Sequence, residues 1–141
     1  MSGCLVVGYD GSPTARRALA WAIDHADDAH IVVAHAFEPP GDWLGRPNYD
    51  RVLRDHLARG QALLDELPDD PRIERDLVEG PPAEALVRVA VARDADEIVI
   101  GSRGFGPLRA ALGSVSHKVL HLADRPVVVV PADDAPDSSP G

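Results

Sequence analysis

Glycine and serine gather in two short segments, Gly101-Ser102-Arg103-Gly104 and Gly113-Ser114-Val115-Ser116, separated by the eight residues from Phe105 to Leu112. The first segment follows an apolar run, Glu97-Ile98-Val99-Ile100, and the second opens an amphipathic stretch. Glycine lets backbone N–H groups come close to an anion, and a helix start offers unpaired N–H groups and the positive end of its dipole. Ser114 and Ser116 add hydroxyl donors. The chemistry is phosphate binding, and the expected ligand is a nucleotide. The same residue types also serve as ordinary turn and capping residues. Two glycine pairs flanking one loop, each at the end of an element, favour the cradle.

Catalytic chemistry finds less support. Asp10 stands after the first apolar run, where an aspartyl-phosphate nucleophile would sit, but Ser12 occupies the place of the second aspartate that such phosphatases need. There is no Gly-x-Ser-x-Gly elbow and no Gly-Lys-Ser/Thr. His117 and His121 share a helix face without a zincin glutamate between them, and His25, His30, His35 and His56 are scattered. No catalytic residue and no metal ligand is assigned.

The elements that position the cradle alternate along the whole chain. Cys4 to Tyr9 is a continuous apolar run suited to a strand buried on both faces. Ser12 is placed to cap, and Pro13 to begin, a helix whose stripe is Ala15, Ala18, Leu19, Ala22, Ile23 and Ala26. A second strand covers Ile31 to Phe37. Glu38 to Pro47 is a long loop of the kind that serves as a lid or partner surface. A second helix from about Asp50 to Leu67 contains Gly60, which marks a close contact. Arg72 to Val78 carries charge on most positions and suits a sheet edge. A third helix runs from Gly80-Pro81-Pro82 to near Arg93. After the fourth strand and the glycine loop, a last helix places Val115, Val119 and Leu122 on one face. Val127 to Val130 forms the fifth strand. Ala132 to Gly141 is rich in Asp, Pro and Ser and is expected to be a disordered tail, leaving residues 1–131 as one domain.

Composition agrees with a globular domain: 141 residues are 45% apolar and 26% charged, and no apolar run approaches the ~18 residues of a membrane span. One cysteine, Cys4, excludes a disulfide framework. The start of the chain lacks the basic and apolar regions of a secretory signal, so a cytoplasmic location is expected. A net charge of −9, with Lys118 the only lysine, makes nucleic acid a poor partner. A nucleotide would need a local cradle built from backbone.

Five strands interleaved with four helices imply an α/β fold with a doubly wound parallel sheet, because each short crossover is right-handed and covers a face. With strand order 3-2-1-4-5, the ligand crevice lies between the first and fourth strands. Asp10-Gly11-Ser12 and the glycine loop meet there.

Val6-Val7-Gly8-Tyr9-Asp10-Gly11-Ser12, the two glycine-serine segments and Pro126-Val127-Val128-Val129-Val130-Pro131, in this order, resemble the universal stress protein family. The resemblance covers Cys4 to Pro131. It implies a Rossmann-like sheet of order 3-2-1-4-5, a homodimer, and a cytoplasmic role in stress adaptation. One branch of that family binds ATP through Gly-x-x-Gly, nine residues, then Gly and Ser or Thr. Here Gly101, Gly104, Gly113 and Ser114 match in type, and the spacer is one residue short. Both ends of the cradle are kept, so ATP binding is expected.

By resemblance, Asp10 bonds the ribose or lies near adenine, Ala36 and Ile100 line the adenine pocket, and Gly101 and Gly104 approach ribose and phosphate. Gly113 closes the pattern, and Ser114, Val115 and Ser116 bind phosphates through hydroxyl and N–H groups. Arg103 either reaches a phosphate or stays solvated. Alternatives stand beside the others: Asp10 capping its own turn, Ala36 and Ile100 as core residues, Ser116 as a helix-start residue. Mg²⁺ accompanying ATP needs few protein ligands, and none is assigned. Val127, Val128, Val129 and Val130 form an apolar edge that invites antiparallel pairing with a second copy, which the resemblance also implies. The functional expectation is an ATP-binding stress or signalling protein acting on an unidentified partner. Its alternatives are a nucleotide-free dimeric interaction module and a slow ATP hydrolase.

Overall fold

The computed structural model describes residues 3–38, 48–102 and 112–131. Its elements are β1 (Cys4–Gly8), α1 (Pro13–His25), β2 (His30–Phe37), α2 (Tyr49–Asp65), β3 (Ile73–Glu79), α3 (Pro82–Ala92), β4 (Glu97–Gly101), α4 (Ser114–Leu122) and β5 (Val127–Val130). All strand pairs are parallel and the order is β3-β2-β1-β4-β5. The expected doubly wound sheet is present. The expectations for the loop over 39–47, for Arg103 and Gly104, and for the tail over 132–141 fall outside the described residues.

Side chains alternate across the sheet, so each strand feeds two cores. Leu5, Val7, Ile31, Val33 and Val99 pack with α1 and α2. Val6, Val32, Ile98 and Ile100 pack on the opposite face with α3 and with Val119 of α4. Burying one such side chain contributes roughly 1.5–3 kcal/mol, so the central strands dominate stability. No helix among the described residues is long and apolar enough to cross a membrane.

The first turn is built by its sequence. Asp10 Oδ1 accepts the Ser12 N–H at 2.9 Å, and Ser12 Oγ accepts the Ala15 N–H at 3.2 Å. Pro13 then opens α1 without wasting a donor. Gly11 sits at φ +79°, where a side chain is strained. The stripe of small residues, Ala15, Ala18 and Ala22, brings α1 close to the sheet. In α2, Gly60 marks the expected close contact: a Cβ there would lie 2.6 Å from Leu77 Cδ1 and 3.0 Å from His35 Cδ2.

The two sheet edges differ in kind. On β3, Glu74 and Asp76 stand on the α3 face and are met by Arg93, which pairs with Glu74 and lies 3.6 Å from Asp76. His30 Nε2 joins Glu74 at 2.8 Å. Arg75 leaves the strand to donate to the Leu64 carbonyl at 2.7 Å, closing the end of α2. These partners explain how a charged segment pairs as a strand. β5 carries no charge at all.

Val115, Val119 and Leu122 lie at spacings that share one side of α4, but of the three only Val119 is fully buried, while Val115 and Leu122 are 38% and 41% exposed. Ser116 takes the inward position. Its hydroxyl donates to the Ser102 and Gly113 carbonyls at the base of the helix, beside the buried Val119.

Candidate functional site

The strand order reverses between β1 and β4: α1 leaves β1 toward one face of the sheet, and α4 follows β4 on the other. In doubly wound sheets, ligands sit beyond the carboxyl ends of the strands at such a reversal.

The start of α4 forms one wall of that end. Gly113 precedes the helix in extended conformation without a side-chain cap, and the first intrahelical bond is His117 N–H to the Gly113 carbonyl at 3.0 Å. The N–H groups of Ser114, Val115 and Ser116 consequently have no helical acceptor and lie at the positive end of the dipole. Ser114 and Val115 are exposed and Ser116 is buried. A cleft of about 230 Å³ lies beside them, between the first turns of α3 and α4, with Pro82, Glu84, Ser114 and Lys118 in its walls. Lys118 Nζ reaches a Glu84 carboxylate oxygen at 2.8 Å and holds that carboxyl below its usual range.

The end of β4 is fastened to this helix start. Gly113 N–H donates to the Ser102 carbonyl at 2.7 Å, and the Ser116 hydroxyl donates to the same carbonyl and to that of Gly113. Ser102 N–H in turn reaches the Val130 carbonyl at 2.8 Å. The Ser116 hydroxyl hydrogen is thus already engaged, leaving its N–H as the group available to an anion. Ser102 Oγ is different. Ser102 is 6% exposed, and its hydroxyl is the one buried side-chain polar atom with no hydrogen-bond partner among the described residues. Leaving such a hydroxyl without a partner costs ~1–3 kcal/mol.

The other expected residues divide. Asp10 is exposed at the end of β1, with one carboxylate oxygen used by its own turn. Ala36 is half-buried and continues the face of Val32 and Ala34, the face on which Ile100 is packed into the core. Gly101 is required by packing as well: a Cβ there would lie 2.7 Å from the Thr14 carbonyl carbon. Gly113, Ser114, Val115 and Ser116 come together with Gly101 and Ser102 at the end of β4 and the start of α4. Ser102 was not singled out from the sequence. The available signal was its place two residues after Ile100, in step with the inward positions of β4.

Elsewhere, titratable groups serve the fold. His35 Nδ1 is 2.8 Å from the Tyr9 carbonyl, and His25 and His56 bond carbonyls of their own helices. Burial pushes the Cys4 thiol up. No group of three His, Cys, Asp or Glu side chains suited to a metal ion occurs among the described residues. The unpaired N–H groups at the start of α4 are donors of the kind that suit an anion.

Fold and site together define a doubly wound parallel α/β domain with an open helix start at its topological switch point. The family model described as the universal stress protein family matches residues 1–131. The chain belongs to the universal stress protein family. It is 39% identical over 132 residues to a universal stress protein of Thermus aquaticus encoded beside a QAH/OAS sulfhydrylase, with 89% of this chain and 96% of the relative covered. Among solved structures it is similar to the hypothetical protein MJ0577, with TM-score 0.74 and 25% identity over 94% of this chain and 98% of that one. It is also similar to a universal stress protein solved in complex with cAMP, with TM-score 0.60 and 30% identity over 91% and 95% of the two chains.

Proposed function

We propose that the protein binds ATP at the carboxyl ends of β1 and β4 and acts in the cytoplasm as a nucleotide-dependent homodimer in stress response. The carrying observation is the row of N–H groups at Ser114, Val115 and Ser116, without helical acceptors and tied through Gly113 to the end of β4. Gly113, Ser114, Val115 and Ser116 would hold the phosphates, with Arg103 and Gly104 assigned to the same ligand by the family resemblance alone. Asp10 would take the ribose through its unengaged carboxylate oxygen, and Ala36, Ile100 and Gly101 would border the base and sugar. Mg²⁺ would ride on the phosphates, neutralising their charge with few protein ligands. The cAMP complex of a relative at 30% identity supports an adenine nucleotide as the ligand class.

The dimer part of the proposal rests on the contrast between the edges. β3 presents inward charges matched by Arg93, which is how natural sheets discourage pairing, whereas Val127–Val130 presents an apolar, uncharged strand. A second copy pairing along β5 would cover it. Isothermal titration of the whole chain with Mg·ATP tests the nucleotide reading: saturable 1:1 binding per chain is expected. Absence of heat and of competition at millimolar ATP would leave the nucleotide-free dimeric module as the better account.

A further inference from the structure

The buried Ser102 hydroxyl has no partner within the described fold, and Ser102 stands at the end of β4 next to the start of α4. Ser102 N–H bonds the Val130 carbonyl just as Ile98 N–H bonds that of Pro126, so the β4–β5 ladder continues through Ser102. Alternation then puts its side chain on the face of Ile98 and Ile100, which α4 covers. Its own carbonyl is held by Gly113 N–H and the Ser116 hydroxyl, which fixes the residue beneath the first turn of α4. That turn is rich in donors, since the N–H groups of Ser114, Val115 and Ser116 have no helical acceptor. An unpartnered hydroxyl amid unpaired donors lacks an acceptor with several lone pairs, and a phosphate oxygen is such a group.

We infer that Ser102 is a ligand-binding residue whose hydroxyl donates to a phosphate oxygen of the bound nucleotide from below the α4 N-terminus. This rests on the nucleotide reading above and adds a side-chain donor to a cradle otherwise made of backbone. The hydroxyl is carried unsatisfied in the free protein and finds its acceptor on binding, so its removal has opposite consequences in the two states.

The test compares wild type with Ser102→Ala in the full chain, by Mg·ATP titration and by melting without nucleotide. We expect the variant to bind Mg·ATP ~10-fold or more weakly, the loss of one hydrogen bond to a charged group, while its nucleotide-free melting temperature stays equal or rises. Wild-type binding with unchanged affinity in Ser102→Ala would overturn this inference and leave the proposed function standing. A clear fall in the nucleotide-free melting temperature would also overturn it, by showing that the hydroxyl is satisfied within the fold. No binding by wild type would overturn both.

Discussion

The Gly113 N–H donates to the Ser102 carbonyl at 2.7 Å, joining the end of β4 directly to the residue that precedes α4. The position of the α4 N-terminus relative to the strand crevice is therefore set by a backbone bond within the described fold. The Ser116 hydroxyl reinforces the same carbonyl from the other side of the turn.

Replacing Ser116 with alanine removes that reinforcement while leaving the Gly113 bond in place. The expected loss is about 1 kcal/mol, the net worth of one buried hydrogen bond, or a melting temperature lower by roughly 3–5 °C for a domain of this size. Calorimetry on Ser116→Ala checks it. An unchanged melting temperature would mean that the hydroxyl does not fasten the turn.

Gly101 and Gly8 are both tight, but against different neighbours. A Cβ at Gly101 meets the Thr14 backbone at 2.7 Å, whereas one at Gly8 meets the end of the Leu86 side chain at 2.7 Å. Backbone cannot step aside and Leu86 can. Gly101→Ala should cost about 1–3 kcal/mol in urea unfolding, and Gly8→Ala clearly less. The reverse ranking would contradict the close approach of α1 to β4.

Acid sensitivity follows from Glu74. Hydrogen bonds from Arg93 and then His30 hold its carboxyl down to about 2 from an ordinary 4.5. A depressed carboxyl stabilises the fold fully above its unfolded pKa, and that contribution fades as pH falls from 4.5 toward 2. Glu74→Gln should flatten this part of the stability curve measured by urea unfolding between pH 7 and pH 2. Partial exposure of the pair keeps the effect modest.

The free edge of β5 offers a direct test of pairing. Pro126 and Val130 carbonyls accept from β4, so Val127 and Val129 direct their backbone groups outward. Val129→Pro removes one outward N–H without touching the β4 ladder. Sedimentation should give a dimer for wild type and a monomer for the variant. An unshifted dimer would place the interface elsewhere.

Strand order, the edge position of β3, the Ser12 cap and the close contact at Gly60 were legible in the sequence, because each rests on local pattern or on parallel-crossover rules. The rotation of α4 was not. Val115, Val119 and Leu122 satisfy a helical stripe, yet the buried neighbour of Val119 is Ser116, whose hydroxyl hydrogen is shared between the Ser102 and Gly113 carbonyls, and a polar residue on the buried face defeats a hydrophobic pattern. Gly101 was read for its freedom near a ligand, while its packing role depends on Thr14, distant in sequence. The Ser102 hydroxyl carries no signal in the sequence, because an orphaned polar group is defined by its folded surroundings.

The central claim is that the α4 N-terminus receives ATP, and thermal melting of the wild-type chain tests it most directly. Free Mg·ATP at ~100 times its dissociation constant stabilises the folded state by ~2.7 kcal/mol, which raises the melting temperature by several degrees. That rise is expected, growing with ATP concentration. A melting temperature unmoved at millimolar Mg·ATP would contradict it.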